Sequence, residues 1–407
     1  MSDLNINNIT DRTGDSGPVI AGVSTVTSTG AFTVPVGPTE YRGGRGRAIF
    51  AGGYVSGSAP SGWSNIMDYV EISTTGNATD FGDLSERRYN VSGCASATRG
   101  LFMGGQGTPA ALFNIIDYVT ISSGGGTSDF GDLNTPGVND SKVQSGAVTS
   151  NNTRGLYMGG HSPNTTVGSG GRQNIIQFVT IASTGDAVEF GDITVYAQGS
   201  QACASPTRAV RGAGSGNPAN HQVIDYVTIA TRGDAIHFGE LVSITGLFPA
   251  SLSRTTRGIF AGGSTPTKLN NIEYITIATL GNSLDFGDLT TPRISGSGAP
   301  SHTRGVFFGG YLWPSSPRVD YNIIDYVEIA STGNAIDFGD LLTTSRGGGS
   351  TSSQTRGLVA GGRTPTQVNT IQYITIATTG NATDFGDSTR IVAFNNAGLS
   401  DVHGGLG

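Results

Sequence analysis

The feature that most constrains this chain is a phrase that occurs seven times. An arginine opens a segment ending in Gly-Gly or a variant of it, and a Phe-Gly-acid element follows further on. The arginines are Arg47, Arg99, Arg154, Arg208, Arg257, Arg304 and Arg356. The phenylalanines are Phe81, Phe130, Phe190, Phe238, Phe286, Phe338 and Phe385. The phenylalanines lie 47 to 60 residues apart along the chain. A self-similar period of this size indicates a ring or array of repeated units.

Each unit divides into four short strands. The segment after each FGD is small and polar, as in NVSGCASA from Asn90, and suits the crowded axis of a ring. The next strand, such as LFMGG, is apolar and stops at a glycine pair that permits a turn with positive φ. The third strand, such as IIDYVTIS, has apolar residues on both faces, and the fourth ends in the phenylalanine, which we expect to pack between adjacent blades. The pattern predicts an all-β fold, a seven-bladed β-propeller.

The two ends of the repeat region complement each other. The region begins in mid-blade with RAIFAGG from Arg47, and it ends with RIVAFNNAGLS from Arg390 to Ser400. The final segment matches the innermost strand that the first blade lacks. We therefore expect a C-terminal strand to close the ring, which would remove exposed strand edges, and we assign 42–407 to the propeller.

The repeat resembles the kelch repeat. The resemblance rests on the Gly pair, a Tyr about a dozen residues later, a large aromatic residue after that, and the Arg that opens the next unit. One departure is that Phe stands where kelch repeats usually have Trp. The resemblance implies a kelch-like propeller.

Residues 1–41 lie outside the repeat and have too few apolar side chains for a core of their own. They are either a disordered tail or an arm that becomes ordered on a partner. The stretch INNITDRTG…GPVIAGVSTV…VPVG is similar to N-terminal segments of virion proteins from marine tailed phages such as T4-like cyanophages. The repeats IDYVTIA and GNATDFGDL are also similar to propeller repeats in that group.

This resemblance implies a phage virion structural protein exposed on the particle. The arm 1–41 would bind other virion proteins or copies of itself, and the propeller would act as a tail-fibre or adhesin module for a host-surface glycan or protein. One alternative is a capsid or tail decoration or knob protein with no host ligand. A further alternative is a glycan-degrading propeller enzyme. The first residues lack the apolar run of a signal peptide, so we expect synthesis in the host cytoplasm.

Charge and cysteine content limit the partners. The net charge is −7 with 23 lysines and arginines, and no basic stripe points to nucleic acid. Cys94 and Cys203 form neither a disulfide framework nor a metal-ligand spacing. The five histidines stand in no recognisable catalytic or metal motif, and we predict no catalytic residue, metal or cofactor.

Acidic residues occur in three repeated sets. The set after FG is Asp83, Asp132, Asp192, Glu240, Asp288, Asp340 and Asp387. The set before the Phe is Asp80, Asp129, Glu189, His237, Asp285, Asp337 and Asp384. The third-strand set is Asp68, Asp117, Gln177, Asp225, Glu273, Asp325 and Gln372. Calcium takes six to eight oxygens, more than each turn offers, so for the two sets around the Phe we predict turn capping and ion pairs with the repeated arginines instead of cation sites. The third-strand set tolerates Gln, and we predict that it is structural too.

The loops after the glycine pairs vary between blades. In a kelch-like propeller they share one face with the loops that join each FGD to the next blade. Variable loops on a rigid scaffold are common binding elements, and Trp, Tyr and Arg are common anchors. The predicted ligand-binding rim is Tyr54, Trp63, His161, Arg172, His221, Tyr311, Trp313, Arg318 and Arg363. The alternative is that Trp63 and Trp313 pack only their own loops.

Overall fold

A computed structural model describes most of the repeat region. The described residues are 46–55, 62–107, 111–134, 142–162, 170–216, 221–243, 250–265, 267–294, 296–312, 319–346, 348–364, 366–391 and 396–402. The chain divides into two compact units, Met1–Thr39 and Glu40–Gly407, and all described residues belong to the second. The predicted arm 1–41 lies outside them.

Seven antiparallel sheets confirm the seven-bladed β-propeller. Six sheets have four strands each, and the sheet of blade 3 has a fifth. In every sheet the order is an inner strand, a second strand, a third strand and an outer strand. Within the described ranges no helix is long and apolar enough to cross a membrane.

The strands are named here by their place in the blade, in the order of blades 1 to 7. The inner strands are Ala397–Ser400, Ser92–Ala95, Ala147–Ser150, Gln201–Ala204, Ala250–Ser253, Ser297–Pro300 and Gly349–Ser352. The second strands are Arg47–Ala51, Arg99–Met103, Arg154–His161, Arg208–Gly212, Arg257–Ala261, Arg304–Phe308 and Arg356–Thr364. The third strands are Ile66–Glu71, Ile115–Thr120, Arg172–Thr180, Val223–Thr228, Asn271–Thr276, Ile323–Glu328 and Thr366–Thr375. The outer strands are Thr79–Asp83, Ser128–Asp132, Val188–Gln198, Ile236–Glu240, Leu284–Asp288, Ile336–Asp340 and Thr383–Asp387.

The core lies between blades, because both faces of each second strand are covered. The strand Arg47–Ala51 is buried throughout, whereas only the phenylalanine of the outer strand Thr79–Asp83 is buried. Phe81 shares an apolar cluster with Val119 and Ile121 of blade 2, which confirms that this phenylalanine packs between blades. In each blade its ring meets the third-strand aromatic ring edge-on, with centroids 5.6 to 5.8 Å apart.

The ring is closed by the strand Ala397–Ser400, as the sequence predicts. It pairs antiparallel with the second strand of blade 1, from Ala48 opposite Ser400 to Ala51 opposite Ala397. The carboxylate of Asp401 also accepts hydrogen bonds from the backbone N–H groups of Gly46 and Arg47, at 3.1 and 2.9 Å. Blade 1 therefore contains strands from both ends of the repeat region.

The repeated arginines have partners other than those predicted. Each guanidinium stacks over the third-strand aromatic ring of its own blade, 4.2 to 4.7 Å from the centroid. Its Nη1 donates to an isoleucine carbonyl of the next blade at 2.6 to 3.0 Å, as Arg47 does to Ile121 and Arg356 to Ile72. Only Arg47 and Arg304 also meet a carboxylate in the described chain, that of Glu71 or Glu328. The predicted ion pairs with the acids around FG are wrong: each guanidinium contacts the aromatic ring and the carbonyl of the next blade, and the two carboxylates met, Glu71 and Glu328, belong to third strands.

The acids before the phenylalanine cap the turn, as predicted. In five blades this carboxylate accepts the backbone N–H of the FG glycine at 2.8 to 3.1 Å, as Asp80 does from Gly82.

The outer strand joins the next blade through a backbone hydrogen bond: the phenylalanine carbonyl accepts a glycine N–H from the following blade at 2.6 to 2.9 Å. We call this contact the junction clamp; it recurs at all seven junctions, including Phe385 with Gly76.

The third-strand set is buried and structural. Its members accept hydrogen bonds from the loop that enters their blade, as Gln177 does from Asn134 N–H at 2.6 Å and Glu273 from Ser243 N–H at 2.8 Å. Where the member is aspartate, a buried arginine lies beside it. The pairs are Arg390 with Asp68, Arg88 with Asp117, Arg211 with Asp225 and Arg293 with Asp325. Each of these four buried aspartates therefore has a positive charge beside it within the scaffold.

Candidate ligand-binding face

Loops of two kinds meet at one face of the ring. One kind follows each second strand, and the other joins each outer strand to the next inner strand. The two kinds of loop are joined by isolated antiparallel backbone pairs: Tyr89 with Gln106, Gln144 with His161, and Ile294 with Tyr311. We call this side the loop face. Three of its loops form two-stranded hairpins, Tyr54–Val55 with Gly62–Trp63, Ser264–Thr265 with Thr267–Lys268, and Tyr311–Leu312 with Val319–Asp320.

Trp63 packs against a neighbouring loop. Its ring stacks on Tyr89, with centroids 5.7 Å apart and planes 20° apart, and it lies opposite Tyr54 in the hairpin. Tyr89 in turn donates its hydroxyl to the Gln106 side chain at 2.7 Å. Trp63 thus contributes to a contact between the loops of blades 1 and 2. Its indole Nε1 is buried and meets no acceptor in the described part of the chain.

The structure brings three predicted rim residues together at blades 3 and 4. His161 and Arg172 are direct cross-strand partners. The Arg172 guanidinium crosses to blade 4, where Nε donates to the Ser215 carbonyl and Nη2 donates to the Ser215 hydroxyl, both at 3.0 Å. His221 follows in the same loop as Ser215, and its ring is hydrogen-bonded to the backbone of Tyr196. We call His161, Arg172 and His221 the basic cluster.

A strand addition holds this cluster in place. Ser215–Gly216 from blade 4 pairs with Ala197 and Gln198, which extends the blade 3 sheet to five strands. The outer strand of blade 3 is correspondingly long, from Val188 to Gln198. The loops of these two blades are therefore tied by backbone hydrogen bonds.

Both histidines of the cluster are neutral at pH 7. Burial lowers the pKa of His161, and the positive charge of Arg172 lowers it further. Burial also lowers the pKa of His221, followed by the charge of Arg211, while Asp225 acts in the opposite direction and Arg172 lowers it again. The His161 Nδ1 atom is buried with no hydrogen-bond partner among the residues described.

Tyr311 lies at the opposite part of the loop face. The guanidinium of Arg346 stands over its ring, 4.3 Å from the centroid, and Tyr311 faces Asp320 in its hairpin. Trp313 and Arg318 lie outside the described residues. For Arg363 only the backbone is described, and it pairs with Gln367. The predicted rim residues whose side chains are described are thus distributed around the face, with one local cluster.

Two cavities lie along the axis of the ring. One of about 270 Å³ opens among the loops of blades 2 to 4 and is lined by polar, uncharged side chains, including Asn90, Ser145, Gln201 and Asn396. The other, of about 230 Å³, is lined by serines and small residues of all seven inner strands. Apart from the Cys94 thiol, no side chain that lines either cavity is ionisable. The described residues also contain no group of three or more His, Cys, Asp or Glu suited to a metal ion.

Two residues of the larger cavity have an unusual backbone. Asn90 and Ser145 have φ values of 54° and 56°, and Ala213 is the remaining non-glycine residue with positive φ in the described chain. Gly199 occupies the equivalent place before the blade 4 inner strand, with φ of 61°. Asn90 and Ser145 hold a conformation that glycine adopts at lower cost, and both project polar side chains at the cavity.

Sequence reasoning missed Tyr89, Gln106, Ser215, Asn90 and Arg346 at this face. All five stand in loops that follow an outer strand or a second strand, the two kinds of loop assigned to this face. Their position in these loops was the only sequence signal for placing them at the face. Their partners could not be predicted, because each contact joins loops from different blades.

Comparison with known proteins supports the fold alone. No family model matches the chain, and no curated protein matches it. Among solved structures it is similar to YjhT ("Structure of YjhT"), with a TM-score of 0.55 and 11% sequence identity. The match covers 73% of this chain and 97% of that one. At this identity the likeness establishes a shared architecture. The fold and the geometry together define a β-propeller with one face of blade-specific loops.

Proposed function

We propose that this protein is a structural component of a phage virion, and that its propeller is displayed on the particle as a tail-fibre or adhesin module. The observation that supports it most is the contrast between scaffold and loop face. The arginine contact and the junction clamp recur in all seven blades, whereas the loops after the second strands differ in length and sequence from blade to blade. A rigid frame with variable loops on one side suits recognition.

The role of the arm is part of the same proposal. Residues 1–41 are similar to N-terminal segments of marine phage virion proteins, and we assign them to binding of other virion proteins or of further copies. Removal of 1–41 is expected to abolish incorporation into particles while the ring 42–407 still unfolds cooperatively. Incorporation of 42–407 at the level of the full chain would overturn the anchoring role.

Location on the particle tests the function directly. Purified particles would be labelled with an antibody raised against 42–407 and viewed by electron microscopy. Label at fibre or tail tips supports host attachment. Label spread over the capsid overturns attachment and supports decoration, and particles without label overturn both.

A second candidate, a decoration or knob protein without a host ligand, is favoured by the stacking of rim aromatics on neighbouring loops. Trp63 stacks on Tyr89, and Tyr311 is covered by Arg346. If these contacts only hold loops together, Trp63→Ser and Trp313→Ser will leave adsorption and infectivity unchanged. A loss of adsorption in particles that contain the normal amount of folded variant would exclude this candidate.

A further inference from the structure

We infer that the axial cavity at the loop face is a binding site for the terminal neutral sugar residue of a glycan. This cavity is the one of about 270 Å³ that opens among the loops of blades 2 to 4. The inference rests on the proposed display function, and it names the part of the face that binds and the class of ligand. It depends on polar side chains in the cavity whose hydrogen-bonding capacity the scaffold does not use.

Three such side chains come from consecutive blades. Asn90 of blade 2 donates its Nδ2 to the Gln144 side chain at 3.2 Å, and its Oδ1 meets no donor in the described chain. Ser145 of blade 3 and Gln201 of blade 4 also line the cavity, and their side chains make no hydrogen bond to any described residue. An amide oxygen, a hydroxyl and a whole amide are therefore available to the hydroxyls of a ligand.

Other hydroxyls along the axis serve the scaffold and provide a comparison. Ser200, which also lines this cavity, donates to the Ala213 carbonyl at 3.0 Å. In the other axial cavity, Ser150 and Ser251 donate to carbonyls of the preceding blade at 3.0 and 3.2 Å. Removal of a hydroxyl that joins two blades can therefore be compared with removal of an unused polar group.

The lining of the cavity favours a neutral ligand. No charged side chain is among the described residues that line it, so an ionic group would exchange its hydration for uncharged partners. No aromatic side chain is among them either, which disfavours a flat base held by stacking. Val91 and Val148 add aliphatic surface beside the amides and hydroxyls. A sugar ring combines apolar C–H faces with hydroxyl edges, and one ring suits a cavity smaller than the pockets that hold drug-sized ligands.

Two of the three side chains stand on residues with positive φ. Asn90 and Ser145 have φ values of 54° and 56°, whereas Gly199 takes the equivalent place in blade 4 with φ of 61°. Glycine adopts this conformation without steric cost, so the turn alone does not require a side chain there. Such strain concentrates at functional sites, and here it places an amide and a hydroxyl at the cavity.

The ligand class is tested on the full chain by ligand-detected NMR titration. The neutral probes are the methyl glycosides of galactose, glucose, mannose and N-acetylglucosamine, and the charged probes are those of glucuronic acid and glucosamine. We expect at least one neutral glycoside to bind, and both charged probes to bind at least about tenfold more weakly, because the cavity offers no charge compensation. Binding of no neutral glycoside, or equal binding of a charged probe, would overturn the inference. An open-chain alditol that binds as tightly as the best glycoside would overturn a site for a sugar ring.

Variants locate the site. Gln201→Ala and Ser145→Gly each remove one unused polar group, and each is expected to weaken binding of the best neutral glycoside about three- to tenfold, as loss of one hydrogen bond predicts. Ser145→Gly also relieves a strained φ, so its melting temperature should not fall. The matched control is Ser251→Ala, which removes a hydroxyl that joins two blades and should leave the affinity unchanged. Unchanged affinity in both Gln201→Ala and Ser145→Gly, or an equal loss in Ser251→Ala, would overturn the location.

Particle experiments separate this inference from the proposed function. Tip-labelled particles together with a protein that binds no neutral glycoside would overturn only the inference. Particles without label would overturn the virion role even if a glycoside binds. If both are correct, the glycoside that binds should inhibit adsorption, and particles that carry Gln201→Ala should adsorb less than those that carry Ser251→Ala.

Discussion

At the scale of single residues, the seven junctions between consecutive blades differ in the side chain that faces the acidic residue after Phe-Gly. At four junctions this side chain is asparagine, Asn77, Asn282, Asn334 or Asn381, and its Oδ1 accepts the backbone N–H of the acid after FG. At two junctions it is Asp186 or Asp234, which accepts the same hydrogen bond at 3.0 Å. Burial raises the pKa of Asp132 and of Asp192, and the facing aspartate raises each further.

Replacing both aspartates by asparagine is expected to stabilise the fold at pH 7. Asp186→Asn and Asp234→Asn keep the acceptor and remove repulsion between carboxylates, which at surface sites is worth up to about 1 kcal/mol each. Because the folded-state pKa values of Asp132 and Asp192 are raised, wild-type stability is lost as the pH rises through them. The gain should therefore shrink near about pH 3, where carboxylates are protonated. Denaturant unfolding at pH 7 and at about pH 3 checks this. Asn334→Asp, which adds a carboxylate beside Asp288, should lower the free energy of unfolding at pH 7.

The buried ion pairs give a second prediction at this scale. Arg211 and Asp225 have side chains 0% and 1% exposed, so Asp225→Asn leaves an uncompensated buried charge. The free energy of unfolding is expected to fall by about 3 to 5 kcal/mol. The double variant Arg211→Met with Asp225→Asn should lose less unfolding free energy than Asp225→Asn alone, because it leaves no unpaired charge buried. Glu328→Gln is the matched control, because that carboxylate is 45% exposed beside Arg304 and should cost under about 1 kcal/mol.

At the scale of elements, the junction clamp depends on two glycines that face each other across every blade boundary. A Cβ on Gly287 would lie 2.5 Å from the backbone of Gly333, and the φ of Gly287 is +140°. Phe286 and Asp288 accept backbone hydrogen bonds from Gly333 and Ala335 at 2.7 and 2.8 Å. The glycine of FGD is thus fixed by close approach of two backbones.

Gly287→Ala is therefore expected to separate blades 5 and 6 locally. We predict a loss of about 2 to 4 kcal/mol in unfolding free energy, from overpacking and strain together. Gly124→Ala is the control, since a Cβ there meets nothing within 4 Å and its loss should stay within about 0.5 kcal/mol. Thermal and denaturant melts compare the two. Equal melting temperatures for both variants would refute the clamp as a stabilising contact.

How far the sequence predicts these elements depends on the distance between partners. The strands and the role of Phe81 could be predicted, because the same positions are buried in every repeat unit and are occupied by apolar residues in the sequence. The partner of Arg47 could not, because the Ile121 carbonyl lies 74 residues away and any residue offers a carbonyl. The basic cluster was predicted as residues of one rim, yet its local assembly depends on the pairing of Ser215 with Gln198, which no periodic pattern marks.

At the scale of the whole molecule, stability depends on closure in blade 1. Deletion of 396–407 removes the inner strand, its buried Ala397 and Leu399, and the Asp401 contacts to Gly46 and Arg47. We expect the melting temperature to fall by more than about 10 °C, since several kcal/mol of core and backbone contacts are lost. A peptide of residues 394–407 added in trans should restore part of the loss. A truncated protein that melts at the original temperature would contradict the assignment of the closing strand.

The closing strand also affects how the protein is made. The contact between Asp401 and Arg47 spans 354 residues, so the second strand of blade 1 leaves the ribosome long before its inner partner is synthesised. Until then an apolar strand edge remains unpaired, and such edges promote association with other chains. Translation that stops early is therefore expected to yield an open ring that is prone to aggregation and degradation. Chains whose translation has passed residue 400 can close the ring and are expected to accumulate.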